Sequence, residues 1–156
     1  MSDPRITEIT LDERTVLRRS PDIEHERKVA IYDLLQQNRF ALAGEEGGPF
    51  RIRLGIEGGQ LVIDVADEAG AALRRIPLAL TPFRRIIKDY FVVCETYYDA
   101  IKTDSPSKIE AIDMGRRSLH DEAAEMLQER LAPYADLDRD TARRLFTLIC
   151  VLHVRG

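Results

Sequence analysis

The spacing of apolar residues changes twice along this chain, and each change marks a switch of element. From about Asp22 to Asn38, Ile23, Ala30, Ile31, Leu34 and Leu35 recur at helical intervals and predict an amphipathic helix. Arg27 falls on the same stripe, which predicts a partly buried, paired guanidinium. A glycine-rich loop, Ala43 to Pro49, follows. The period then drops to two: Phe50, Ile52, Leu54 and Ile56 alternate with Arg51, Arg53 and Glu57, as in a half-buried strand. Gly58-Gly59 is a two-residue hairpin signal, with Leu61, Ile63 and Val65 on the returning strand. A turn at Asp67 to Gly70 leads to a third strand carrying Ile76, Leu78 and Leu80. An opening strand, Arg5 to Leu11, could join this meander, although its alternation is poor.

Beyond Thr81-Pro82 the pattern is helical to the end. Phe83, Ile86, Ile87, Tyr90, Cys94, Tyr97 and Ile101 make one broad apolar face. A second helix is expected from Pro106 to about Leu131, with Gly115 inside it at roughly 1 kcal/mol against alanine. That glycine could admit another backbone or a ligand. The last helix should start near Asp138 or Asp140, and Leu145, Phe146, Leu148, Ile149 and Val151 make it apolar nearly all round. Ser20-Pro21, Thr81-Pro82 and Ser105-Pro106 each read as a hydroxyl cap followed by a first-turn proline. The expected fold is α+β in a single domain, 1–156. It has a small antiparallel meander of three to four strands, about four helices and an all-helical C-terminal half.

Composition narrows the function classes. With 156 residues the chain can bury roughly 70% of its unfolded surface, enough for a core without staples. A net charge of −4 gives no overall attraction to nucleic acid or an anionic membrane. No stretch approaches the roughly 20 apolar residues of a membrane span, and MSDPRITEIT lacks the regions of a signal peptide. Cys94 and Cys150 lie far apart in apolar patterns and read as buried, reduced thiols, so a cytoplasmic location is expected.

The chemistry is concentrated in charged groups. Of the 23 basic residues 19 are arginines, the planar forks suited to carboxylates and phosphates. Five arginine pairs occur: Arg18-Arg19, Arg74-Arg75, Arg84-Arg85, Arg116-Arg117 and Arg143-Arg144. The pairs after Pro82 and after Asp140 are expected in first helical turns, where cations oppose the helix dipole unless an anion offsets them. Glu110, Asp113, Arg117 and His120 recur at spacings of three and four and share one helical stripe beside the core face, with Arg116 on its apolar side. Asp113 and His120 are about 10 Å apart along a straight helix, too far for a direct carboxylate–imidazole pair. In the segment EHER, Glu24, Arg27 and Lys28 are spaced for pairing, and His25 is a further acid–base candidate. Cys150 and His153, with Cys94, make at most a three-ligand metal guess, and buried small side chains explain them more simply. No phosphate loop, dinucleotide fingerprint or nucleophile elbow is present, and no cofactor is implied.

The segments SPDIEHERKVAIYDLLQQN, LTPFRRIIKDYFVVCETYYDAI, IEAIDMGRRSLHDE and DTARRLFTLICVLHVRG, taken together, resemble a bacterial family known as uncharacterised protein family 0262. The resemblance covers nearly the whole chain. It implies a small cytoplasmic protein and carries no activity, ligand or partner.

The leading functional reading is therefore a non-enzymatic binding or regulatory module for a small anion or an acidic protein segment. Arg116, Arg117, Arg143 and Arg144 would bind it, with Arg84 and Arg27 as further candidates, and Asp113 and Glu24 would hold the forks. One alternative is a hydrolase or transferase on a phosphorylated substrate, with His120 or His25 as acid–base. A second is an oligomeric interaction protein that uses the apolar last helix.

Overall fold

The computed structural model describes residues 2–14, 20–44 and 47–153. Arg18-Arg19 and part of the glycine-rich loop lie outside the described residues.

Three strands follow the two-residue alternation. β3 (Phe50–Glu57), β4 (Gln60–Ala66) and β5 (Ala72–Ala79) form antiparallel neighbours. Ile52 faces Val65, Leu54 faces Ile63, and Ile63 in turn faces Ile76, so one side of the sheet is a continuous aliphatic surface. The β3–β4 turn closes on Gly58 and Gly59 at φ +57° and +77°, the paired left-handed geometry that a two-residue hairpin needs.

The opening strand corrects the expected meander. β1 (Ile6–Leu11) pairs with β3 in parallel, so the sheet is mixed, in the order β1-β3-β4-β5. A parallel pair requires a crossover, and α1 (Pro21–Gln36) supplies it. Only Ile6 of β1 is fully buried, which accounts for the poor alternation. Asn38 secures the strand: its Oδ1 accepts from the Ile6 amide at 2.6 Å, and its Nδ2 donates to the Ile6 carbonyl at 2.9 Å. At the opposite edge Pro77 lies within β5.

The C-terminal half is not all helical. β6 (Ala135–Leu137) pairs antiparallel with β2 (Phe40–Leu42), tying the connection before the last helix to the segment after the first. Runs of three residues carry too little period to be read from sequence.

Ser20 caps α1 by accepting from the Ile23 amide, and Ser105 caps α3 (Pro106–Leu131) by accepting from the Lys108 amide, as their hydroxyl-proline pairs predict. Thr81 does not act this way. Thr81–Phe83 is a 3₁₀ turn leading into α2 (Arg84–Thr103), whose start has no side-chain cap. α3 runs unbroken through Gly115, where an added Cβ would meet nothing within 4 Å, so the glycine serves no close approach.

α4 (Arg139–Val151) explains its apolarity by position. It packs against α1 and α3, and Thr141, Ala142 and every residue from Leu145 to Val151 are buried. The motive for an oligomeric reading is thus met inside the chain. No described helix is long and apolar enough to cross a membrane.

Candidate functional site

α1, α3 and α4 meet around a pocket of about 140 Å³. α1 contributes Glu26, Val29, Ala30 and Asp33; α3 contributes Arg116, Arg117 and His120; α4 contributes Arg143, Arg144 and Thr147. Each set recurs at helical spacings, so each presents one stripe to the same space.

Asp113 holds the α3 guanidiniums. Its Oδ1 accepts from Arg116 Nη2 at 2.9 Å, and its Oδ2 pairs with Arg117 Nη2 at 3.1 Å. Arg116 also stacks over the Tyr97 ring, 4.6 Å from its centroid, which fixes the plane of the fork. The α4 guanidiniums are held less tightly. Arg143 Nη1 donates to Asp140 at 3.4 Å, and its Nε lies 3.8 Å from Asp121, within ion-pair range and beyond a hydrogen bond. Arg144 donates to the Asp140 backbone carbonyl at 3.3 Å and has no carboxylate partner among the described residues.

His120 is the buried member, with only 6% of its surface exposed. Its ring packs edge-on against Tyr90 and Phe146, with centroids at 5.6 and 6.3 Å. Burial, reinforced by the charges of Arg116 and Arg143, pushes its pKa down to about 4. The imidazole is therefore neutral near pH 7. Its Nε2 and the Nε of Arg143 are buried polar atoms without a hydrogen-bond partner among the described residues. Leaving such an atom unpaired costs about 1–3 kcal/mol.

Glu26 is tethered from behind by α2. Tyr98 donates to one carboxylate oxygen at 2.8 Å; Tyr90 donates to the other at 3.3 Å, and the Cys94 thiol lies 3.8 Å from it. Burial raises the pKa values of all three donors, Cys94 to about 12, so they keep their protons. Asp33 has no side-chain partner among the described residues.

Five of the sequence candidates thus line one space: Arg116, Arg117, Arg143, Arg144 and His120. Asp113 anchors two of them, Arg116 and Arg117. The remaining candidates lie elsewhere. Arg27 donates to Glu13 at 2.7 Å and pairs with Glu24 at 3.5 Å, away from the pocket. Glu24 therefore holds no pocket fork. Arg84 is exposed at the start of α2, while Glu110 and His25 are exposed on α3 and α1. Arg143 and Arg144 fall in the second turn of α4, past the helix start where dipole opposition is strongest. Among the described residues no group of three or more His, Cys, Asp or Glu side chains could hold a metal ion.

Glu26, Asp33 and Thr147 were not singled out by the sequence reading. A signal existed for Glu26: it sits three residues after Ile23 and four before Ala30, on the buried stripe of α1. A carboxylate on such a stripe needs dedicated donors. Asp33 and Thr147 carry no comparable mark.

Fold and pocket together define a small α+β protein with a polar pocket where three helices meet, walled by four arginines, two carboxylates and an imidazole. The chain belongs to the family described as Uncharacterised protein family (UPF0262), whose model matches residues 3–155. It is 56% identical over 155 residues to a UPF0262 protein of Rhodopseudomonas palustris, covering 99% of this chain and 95% of the relative. It is 57% identical over 152 residues to one of Nitrobacter winogradskyi, with 97% and 91% covered. To a relative from Rhizobium johnstonii it is 51% identical over 152 residues, with 97% and 96% covered. No solved structure matches the chain.

Proposed function

We propose that the chain is a binding or regulatory module that takes a small anionic molecule into the pocket between α1, α3 and α4. The observation that carries this reading is the pair of buried nitrogens, His120 Nε2 and Arg143 Nε, that have no hydrogen bond among the described residues, in a wall that also bears Arg116, Arg117 and Arg144. Buried polar atoms find partners in the great majority of proteins. An anionic oxygen would satisfy a guanidinium N–H and relieve the repulsion among four like charges.

The enzyme reading keeps one supporting observation, an imidazole beside a cluster of arginines. A base with a pKa near 4 is poorly matched to proton abstraction at neutral pH. His120 is better suited to offering a hydrogen bond than to moving a proton. We place the module in the cytoplasm, on the strength of two buried free thiols. We infer that nucleic acid is not its ligand, since the net charge is −4.

Thermal denaturation of the full chain with phosphate, sulfate, small carboxylates and nucleotides tests the reading. A ligand at 100 times its Kd adds about 2.7 kcal/mol, read as a rise in Tm. Arg144→Gln should abolish the rise. No response to any of these anions, or to any amino acid through its carboxylate, would overturn the proposal.

A further inference from the structure

The pocket is not uniformly cationic. Its α1 wall carries Glu26 and Asp33, seven residues apart on one helical face, opposite the guanidiniums of α3 and α4. Among the described residues neither carboxylate forms an ion pair with any of the four arginines, although all six line one space. Both walls are held apart. Tyr90 and Tyr98 draw Glu26 toward α2, and Asp113 draws Arg116 and Arg117 back along α3. Arg144 and Asp33 are the most available charges of each wall: among the described residues Arg144 has no ion pair and Asp33 has no side-chain partner. A pure anion would meet repulsion from the α1 side, and a pure cation from the other. A molecule bearing both signs would be met on both sides.

Resting on the anion-binding reading, we propose that the ligand is a small zwitterion of the amino-acid class. Its carboxylate lies against Arg144 and Arg143, and its ammonium lies against Asp33, with Glu26 adding negative charge farther along the same wall. Size agrees with this. A cavity of about 150 Å³ holds a molecule like benzene, with about six heavy atoms, and this pocket of about 140 Å³ is of that scale. The smaller amino acids match it. Thr147 and the neutral His120 lie in the same lining and supply uncharged hydrogen-bonding groups. The tethers preorganise Glu26, Arg116 and Arg117, so those side chains lose little freedom on binding.

The test is thermal shift of the full chain with all twenty protein amino acids, followed by calorimetry on matched pairs in which the ammonium is replaced by hydroxyl. Suitable pairs are glycine with glycolate, serine with glycerate, aspartate with malate and glutamate with 2-hydroxyglutarate; phosphate is the plain-anion control. At least one amino acid should bind, tenfold or more tighter than its hydroxy acid. Asp33→Asn should erase that preference, and Arg144→Gln should weaken both members of the pair. Asp33 has no side-chain partner among the described residues, so the amide should fold normally, and the wild-type pairs decide the matter even without it. Hydroxy acids or phosphate binding as tightly as the amino acids, still weakened by Arg144→Gln, would overturn the zwitterion and leave the anion reading intact. No binding of any probe would overturn both.

Discussion

Two arginine-rich regions of this protein use the same side chain in opposite ways. On the solvent face of the sheet, guanidiniums meet carboxylates across the strands: Arg51 faces Glu8 at 3.4 Å, Arg53 faces Asp12 at 3.4 Å, and Arg75 bonds Glu57. These are cross-strand pairs on an exposed surface, individually weak and locally neutral. In the pocket, Arg143 and Arg144 are loosely held, Asp33 has no side-chain partner among the described residues, and opposite charges share a cavity without closing on one another. The lesson is that arginine number does not mark a site. Pairing alone does not separate the two regions, since Arg116, Arg117 and Arg143 also have carboxylates; the pocket differs in Arg144 and Asp33, opposite charges that line one cavity and form no ion pair among the described residues.

The two regions should lose stability in different pH ranges. The unfolded His120 imidazole binds a proton near pH 6.5 and the folded one only near 4, so the unfolded chain holds more protons between those values. Stability contributed by this site should therefore fall as pH drops from 6.5 to 4, by up to about 3 kcal/mol. On the sheet, Arg14 above all holds the Asp12 carboxyl well below the usual carboxylate range. Its contribution is present above the unfolded pKa of 3.8 and is lost only below it. Denaturant titrations at pH 7, 5.5 and 4 on wild type and His120→Gln should show the earlier loss disappear in the variant. Equal slopes in both proteins would dissolve the contrast.

Tyr98→Phe comes next in size. It removes the 2.8 Å bond to Glu26 and should cost about 1.5–3 kcal/mol, as expected for a hydrogen bond to a charged group. It should also free the carboxylate to approach Arg116, which amide exchange along α1 and α3 would register. Arg75→Ala on the sheet should cost less than about 1 kcal/mol in the same denaturant assay, because the pair is exposed. Arg144→Gln should change stability by less than about 0.5 kcal/mol, with the sign toward stabilisation, since it removes a like charge and no ion pair. If Arg144→Gln proved more destabilising than Arg75→Ala, the pocket arginines would be structural after all.

The sequence made the strands β3 to β5 and the four helices legible because each is long enough to repeat its period. It also brought forward Arg116, Arg117 and His120, because a polar stripe next to an apolar one stands out on a helix, and Arg143 and Arg144 as an arginine pair expected to oppose a helix dipole. Three things were not legible. The parallel placement of β1 depends on where α1 delivers the chain, a tertiary matter. The pairing of β2 with β6 joins segments nearly a hundred residues apart through three-residue strands. The acidic wall was obscure because Asp33 looks like any surface residue of an amphipathic helix until α4 is laid beside it. Arg27, by contrast, was rightly read as partly buried and paired, yet it points away from the pocket and serves the junction with Glu13.

Asn38 and Pro77 have a consequence for how molecules of this protein meet one another. An open sheet ends in rows of free amides and carbonyls that can recruit a strand from a neighbouring molecule and start an aggregate. Asn38 occupies both outward groups of Ile6 on one border, imitating the strand that would otherwise add there. On the other border Pro77 offers no amide hydrogen at all. Each border is blunted by a single side chain, so the sheet is guarded against indefinite growth at little expense of sequence.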